Sequence, residues 1–159
     1  EELQPLVAEY YRTLSEDREQ VELHYKSELN ESSMREVLQA SRQKDLVNEF
    51  TTAGIHRDDL TLKIGGYPLR KYGSQGQQRS AVIALKMSEA AVISEISGEH
   101  PVALLDDVMS ELDEGRQTFI LNYLDNWQVF ITCCDPSTLL RSKKGKAFEV
   151  KEGKITEME

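Results

Sequence analysis

The stretch Val102-Ala103-Leu104-Leu105-Asp106-Asp107 decides the fold. A short apolar run of this kind reads as a parallel strand buried on both faces. Two carboxylates at its end place acid at the carboxyl edge of a sheet, where α/β ligand sites form. One such carboxylate can hold Mg2+ through water, and its neighbour can orient or deprotonate an attacking water. The pair alone is weakly specific, because acidic pairs also follow buried strands in phosphate-accepting signalling domains and haloacid-type phosphatases.

Working outward, a helix is expected from about Glu114 to Leu124, carrying Phe119, Ile120, Tyr123 and Leu124, and Val129-Phe130-Ile131 makes a second buried strand. Upstream, a long helix from about Gln75 to Ser97 ends at Gly98, and Pro101 introduces the strand. Helix, buried strand, helix, buried strand is the pattern of a parallel α/β sheet. Ala147 to Val150 and Lys154 to Met158 flank Glu152-Gly153 as a closing hairpin. At the start, Leu3, Leu6, Val7, Tyr10, Tyr11 and Leu14 form a helical stripe ended by Ser15-Glu16-Asp17. Val21, Leu23 and Tyr25 alternate as a half-buried strand. Ser33 and Glu36 make a capping box for a helix running to about Thr52 and closed by Gly54. Leu60, Leu62 and Ile64 alternate again up to Gly65-Gly66, a hairpin turn into Tyr67-Pro68-Leu69.

The second chemical feature is Gly73-Ser74-Gln75-Gly76-Gln77-Gln78-Arg79, where a loop enters the long helix. Ser74 suits an N-cap, and Gly76 lets the backbone approach a ligand closely. A helix amino terminus with free N–H groups and small hydroxyl or amide side chains is a receptor for phosphate. An ordinary capped helix with a polar first turn is the plain structural alternative. Taken in order with Asp106-Asp107 and Ser110-Glu111-Leu112-Asp113, however, the set resembles the second half of an ABC-type nucleotide-binding domain. Ser74 to Arg79 resembles its signature motif, with Gln75 where a Gly is common; Val102 to Asp107 resembles Walker B, and Ser110 to Asp113 the D-loop.

The resemblance sharpens over longer stretches. Gly54-Ile55-His56-Arg57-Asp58-Asp59-Leu60, Tyr72 to Arg79, Leu104 to Gln117, and Val129 to Thr132 running into Asp135 closely resemble the bacterial RecF family. The first fifty residues fit only by pattern, with residues 1–19 as the end of an inserted helical subdomain and 20–159 as the carboxy-terminal part of an α/β, ABC-type ATPase head. The resemblance implies a DNA replication and recombinational repair ATPase that dimerises on ATP, binds double-stranded DNA, hydrolyses slowly, and works with RecO and RecR at gapped DNA. It also implies roles. Asp106 would hold the Mg2+ water shell, and Asp107 stands where many ABC proteins keep a catalytic Glu. Ser74, Gly76 and Gln77, with Gln78 and Arg79 beside them, would meet ATP held by the opposite subunit. Ser110 and Asp113 would lie at the dimer interface. Cys134 takes the place of the switch His of transporters, with Asp135 beside it, and a buried structural Cys is expected there because a thiol offers no charged donor. His56 and Arg57 read equally as interface or DNA-facing groups and as part of a salt-bridged turn.

Bulk properties narrow the field. The 159 residues are 39% hydrophobic, enough for one domain with a core or one lobe of a larger one. No apolar run approaches the roughly 20 residues needed to span a membrane, so no membrane partner is expected. Adjacent Cys133 and Cys134 rarely bridge each other and fit a reducing cytoplasm. His24, His56 and His100 lack metal-ligand spacing. The net charge of −9, from 28 acidic and 19 basic residues, argues that most DNA contact lies outside this chain. The basic cluster Arg141, Lys143, Lys144 and Lys146 reads first as a solvated loop. The start at Glu1-Glu2-Leu3, without Met, leads us to expect a fragment.

One absence matters for chemistry. No Gly-x-x-x-x-Gly-Lys-Ser/Thr sequence occurs, since Gly145-Lys146 runs into Ala147. Without that cradle the chain alone is expected not to hydrolyse ATP. The competing expectations are another ABC-type head, condensin-like or transporter, and an interaction module with a degenerate site. A transporter would carry the switch His, and a coiled-coil relative would carry long heptad arms.

Overall fold

A computed structural model describes residues 2–27, 29, 32–134 and 145–158. The order is α1 (Leu3–Leu14), β1 (Val21–Lys26), α2 (Met34–Asn48), a 3-10 turn (Ile55–Arg57), β2 (Asp59–Ile64), β3 (Tyr67–Pro68), α3 (Leu69–Tyr72) and α4 (Gln75–Ser97). It continues with β4 (Ala103–Asp106), a second 3-10 turn (Met109–Glu111), α5 (Glu114–Tyr123), β5 (Val129–Thr132), β6 (Ala147–Lys151) and β7 (Lys154–Met158). Two compact units result, residues 1–89 and 90–159, with the boundary inside α4.

In the first unit, Val7, Tyr11 and Leu14 recur at helical spacing and form the buried face of α1. The helix stops in a Schellman arrangement: Glu16 N–H donates to Thr13 O at 3.1 Å and Asp17 N–H to Arg12 O at 2.9 Å. Glu16 and Asp17 both take positive φ, 55° and 58°, where glycine is the usual residue. β1 pairs antiparallel with β2 from Val21↔Ile64 to Lys26↔Asp59, and buries Val21 and Leu23. Gly65 and Gly66, at φ 56° and 80°, turn β2 into β3 as a two-residue loop needs.

The capping box at Ser33 and Glu36 is present, but α2 ends sooner than the expected Thr52. Its last residue is Asn48, and Glu49 at φ 61° provides the left-handed cap. Gly54 instead, at φ 126°, opens the following 3-10 turn. Thr52 ties back to α2, its N–H and hydroxyl donating to Asp45 Oδ1 at 2.8 and 2.6 Å. That side-chain closure releases the backbone before the glycine is reached.

In the second unit β4 and β5 are parallel, Ala103↔Val129 through Asp106↔Thr132. Burial on both faces, expected for these strands, is not found: Leu104 is 73% and Phe130 56% exposed. The two stand opposite in register, so they mark one face of a two-stranded sheet that nothing covers among the described residues. The core of this unit is Met109, Leu112, Ile120 and Leu124. β6 and β7 form an antiparallel hairpin about Glu152 and Gly153, at φ 49° and 75°.

Candidate functional site

The loop entering α4 is built by steric exclusion and reciprocal capping. Gly73 N–H donates to Leu69 O at 2.9 Å. Gly73 has φ −74° and ψ 146°, which any residue adopts. Its lack of a side chain is nevertheless required, because a Cβ would sit 2.8 Å from Leu69 O and 3.0 Å from Leu69 Cγ. Ser74 then caps the helix. Gln77 N–H donates to Ser74 Oγ at 3.2 Å, and Ser74 N–H donates to Gln77 Oε1 at 2.7 Å, a capping box with Gln at its third position. Gln78 Nε2 holds the loop from its other side, donating to Gly73 O at 2.9 Å.

These bonds do not use every donor of the first turn. Among the described residues, the N–H groups of Gln75 and Gly76 and the Ser74 hydroxyl proton meet no protein acceptor, and Ser74 Oγ itself accepts from Gln77 N–H. Two backbone donors and one hydroxyl donor at the positive end of a 23-residue helix make an anion receptor. The Gln78 amide is engaged within the loop, the Gln77 amide joins Ser74 to Glu19 outside it, and Arg79 is exposed. Beside the loop lies a hollow of about 310 Å3 lined by Ile64, Tyr67, Leu69, Tyr72, Gly73 and Gln77.

The acidic pair belongs to the second unit. Thr132, the register partner of Asp106, organises both carboxylate-bearing residues. Its hydroxyl donates to Asp106 Oδ1 in a short contact and accepts from the Asp107 N–H at 3.0 Å, while the same N–H also reaches Thr132 O at 3.2 Å. Asp107 takes φ 51°, a conformation that Asp tolerates better than most residues. Ser110 fixes it there, its hydroxyl donating to Asp107 O at 2.8 Å and Asp107 Oδ1 at 2.9 Å. Asp106 and Asp107 are both exposed to solvent.

The turn after them hangs on two anchors. Met109 is fully buried at 0% exposure. Gln117, 8% exposed, reaches back from α5 so that Nε2 donates to Met109 O at 2.7 Å and Leu112 O at 3.0 Å. Asp113 is the N-cap of α5: Oδ1 accepts from Arg116 N–H at 3.0 Å and Oδ2 pairs with Arg116 Nη1 at 2.7 Å. Neither Thr132 nor Gln117 was assigned a role by sequence reasoning. The sequence shows only a glutamine on a helix and a hydroxyl near the end of a strand, and neither by itself marks its partner.

Cys134 is exposed, correcting the expectation of a buried thiol, and Cys133 is half-buried; neither is bridged. The strand ends at Thr132, before either cysteine can enter the packed sheet. Asp135 and the basic residues Arg141, Lys143 and Lys144 lie outside the described residues. His56 and Arg57 form the 3-10 turn before β2. A His56 ring nitrogen lies 3.0 Å from Thr51 O, and Arg57 lies over the Phe50 ring at 5.7 Å. Asp58 accepts a short hydrogen bond from the Tyr25 hydroxyl, and this holds the phenol above its ordinary value of 10.0.

No family model matches the chain. A DNA replication and repair protein RecF from Agathobacter rectalis is 38% identical over 156 residues, covering 97% of this chain and 43% of the relative. The RecF of Heliobacterium modesticaldum is 40% identical over 164 residues, covering 96% and 44%. The chain therefore spans less than half the length of the curated relatives it matches. A solved structure of the recombination mediator protein RecF-ATPrS in the RecFOR pathway superposes with a TM-score of 0.76 at 33% identity, covering 99% of this chain and 44% of that one. An SMC ATPase structure, from work on ATP-driven dimerization and DNA stimulated activation, shares the fold at TM-score 0.57 and 13% identity. The fold is α/β, the carboxy-terminal part of an ABC-type ATPase head.

Proposed function

Because the chain belongs to the RecF family and spans the carboxy-terminal part of its members, we propose that it supplies the signature and Walker B elements of composite ATP sites in an ATP-dependent homodimer. The observation that carries this reading is the unspent donor set at Ser74, Gln75 and Gly76 on a capped helix. Such donors answer a terminal phosphate presented by a second subunit. Solved relatives described as RecF-ATPrS and RecF-ATP support a nucleotide as the ligand.

The acidic pair fits the metal and water side of the same chemistry. Asp106 has one oxygen taken by Thr132 and one oxygen in solvent, an acceptor suited to the water shell of Mg2+. When bound, Mg2+ offsets phosphate charge, and the remaining ligands come from ATP, water and residues outside this chain. Asp107 orients the attacking water or takes its proton, with Ser110 and the left-handed backbone setting its direction. An Asp reaches one methylene less far than the Glu common at this position, which suits slow turnover. Ser110 and Asp113 face the partner subunit in this reading, and the exposed Cys134, with Asp135, occupies the switch position without a charged donor.

We further assign residues 1–19 to the end of an inserted helical subdomain and residues 20–159 to the head. The whole protein acts in the cytoplasm in DNA replication and recombinational repair, binding double-stranded or gapped DNA mainly through regions outside this chain and working with RecO and RecR. The chain alone does not turn over ATP, for want of a phosphate loop. Replacing Asp107→Asn in the full-length parent tests the assignment. Turnover is expected to fall about 100-fold, the scale of a lost general base, while the ATP-held dimer persists longer. Unchanged turnover removes Asp107 from the mechanism.

A further inference from the structure

The signature loop is held by a residue outside both the loop and its helix. Glu19, between α1 and β1, accepts from Gln77 Nε2 through Oε1 at 2.6 Å and from the Tyr11 hydroxyl through Oε2 at 2.8 Å. Tyr11 is 1% exposed on the packed face of α1. Gln77 passes the constraint on, its Oε1 accepting from the Ser74 N–H and its own N–H donating to Ser74 Oγ. The orientation of the Gln77 amide follows from chemistry. Turned over, it would set an NH2 group against the Ser74 N–H and a carbonyl oxygen against the Glu19 carboxylate. The Ser15 hydroxyl also reaches the main chain of Glu19, sharing its one proton between Arg12 O at 3.1 Å and Glu19 O at 3.3 Å.

An unbroken chain of hydrogen bonds therefore runs from the buried face of α1, through one carboxylate, to the residue that caps α4. We propose that Glu19 is a positioning residue for the signature loop: acting through Gln77, it sets the direction of the Ser74 hydroxyl and first-turn N–H groups, and through Tyr11 it ties that direction to α1. The proposal rests on the ATP-site reading above. Glu19 touches no nucleotide in this account. Its effect falls on the step in which the loop engages a partner's ATP, and not on nucleotide binding by the monomer.

The test uses the full-length parent protein, with nucleotide affinity, ATP-driven dimerisation and turnover measured side by side. Glu19→Ala should leave nucleotide affinity and the KM for ATP unchanged. It should lower kcat and the dimerisation constant about tenfold, the scale of one lost charge-assisted hydrogen bond. Glu19→Gln retains an acceptor for Gln77 and a partner for Tyr11, so it should recover most of the effect and guards against a simple folding defect. On a Gln77→Ala background, Glu19→Ala should add nothing further. Wild-type dimerisation by Glu19→Ala overturns the inference, as does full additivity with Gln77→Ala, or a Glu19→Gln protein as defective as Glu19→Ala. If the wild-type protein itself forms no dimer with ATP, the ATP-site reading fails and this inference falls with it.

Discussion

Gln117 offers the sharpest quantitative test of how the acidic turn is held. Its amide donates to the carbonyls of both Met109 and Leu112. Gln117→Leu keeps the approximate volume of the side chain and removes both bonds. Each neutral hydrogen bond is worth about 1 kcal/mol net, and a buried carbonyl left short of a donor costs more, so the turn should lose roughly 2–3 kcal/mol. The remaining bonds across the turn are long, with Glu111 N–H to Val108 O and Leu112 N–H to Met109 O both at 3.3 Å, and they cannot make up the loss. Hydrogen exchange on the full-length protein reads this locally. A loss of about 2 kcal/mol corresponds to roughly 30-fold faster exchange of the Glu111 and Leu112 amides if the turn opens as a unit. Ser110, freed with the turn, should release Asp107 and reduce ATP turnover in parallel. Exchange within about twofold of wild type would refute the argument that Gln117 anchors this turn.

Two further predictions concern other elements. Gly73→Ala should destabilise the loop entering α4 by about 1–3 kcal/mol through overpacking against Leu69, since its φ is ordinary and the Cβ has no room; denaturant titration reads the loss, and an unchanged midpoint contradicts the steric account. Acid should loosen α2, because hydrogen bonds from Ser33 hold Glu36 below its ordinary value of 4.5, and those from Thr52 hold Asp45 below 3.8. A depressed folded value means stability that is present above the unfolded value and lost as pH falls through the folded one. Helix protection at residues 34–48 should therefore hold from neutral pH to about pH 5 and decline below 4, and protection that is flat down to pH 2 contradicts it.

Much of the architecture was legible in the sequence because local signals and tertiary demands coincide. Hydrophobic spacing in α1, the Gly65-Gly66 and Glu152-Gly153 turns, and the Ser74 cap each specify backbone geometry within a few residues. The misplaced end of α2 shows where that logic fails: Gly54 is the conventional helix stop, yet Asp45 binding Thr52 closes the segment earlier, and a side-chain bond spanning seven residues leaves no local mark. The strands β4 and β5 read as fully buried because Val, Leu, Phe and Ile fill them, but burial depends on what stacks against the sheet. Leu104 and Phe130 remain exposed here for lack of such a layer among the described residues. At the candidate site, Asp106 and Asp107 were readable from a strand followed by acid. Thr132 and Gln117 were not, since a hydroxyl and an amide gain meaning only from a partner strand and a folded-back turn. Cys134 was misread for the same reason, its exposure being set by where β5 stops.

The central claim is that Ser74 meets ATP bound by a second subunit, and the most direct measurement is sedimentation of the full-length protein, wild type against Ser74→Arg, with and without ATP and Mg2+. Wild type should shift from monomer to dimer only with ATP. Ser74→Arg should bind ATP with unchanged affinity and remain monomeric, because a long side chain replaces the hydroxyl at the helix cap. Normal ATP-dependent dimers of Ser74→Arg would contradict the account.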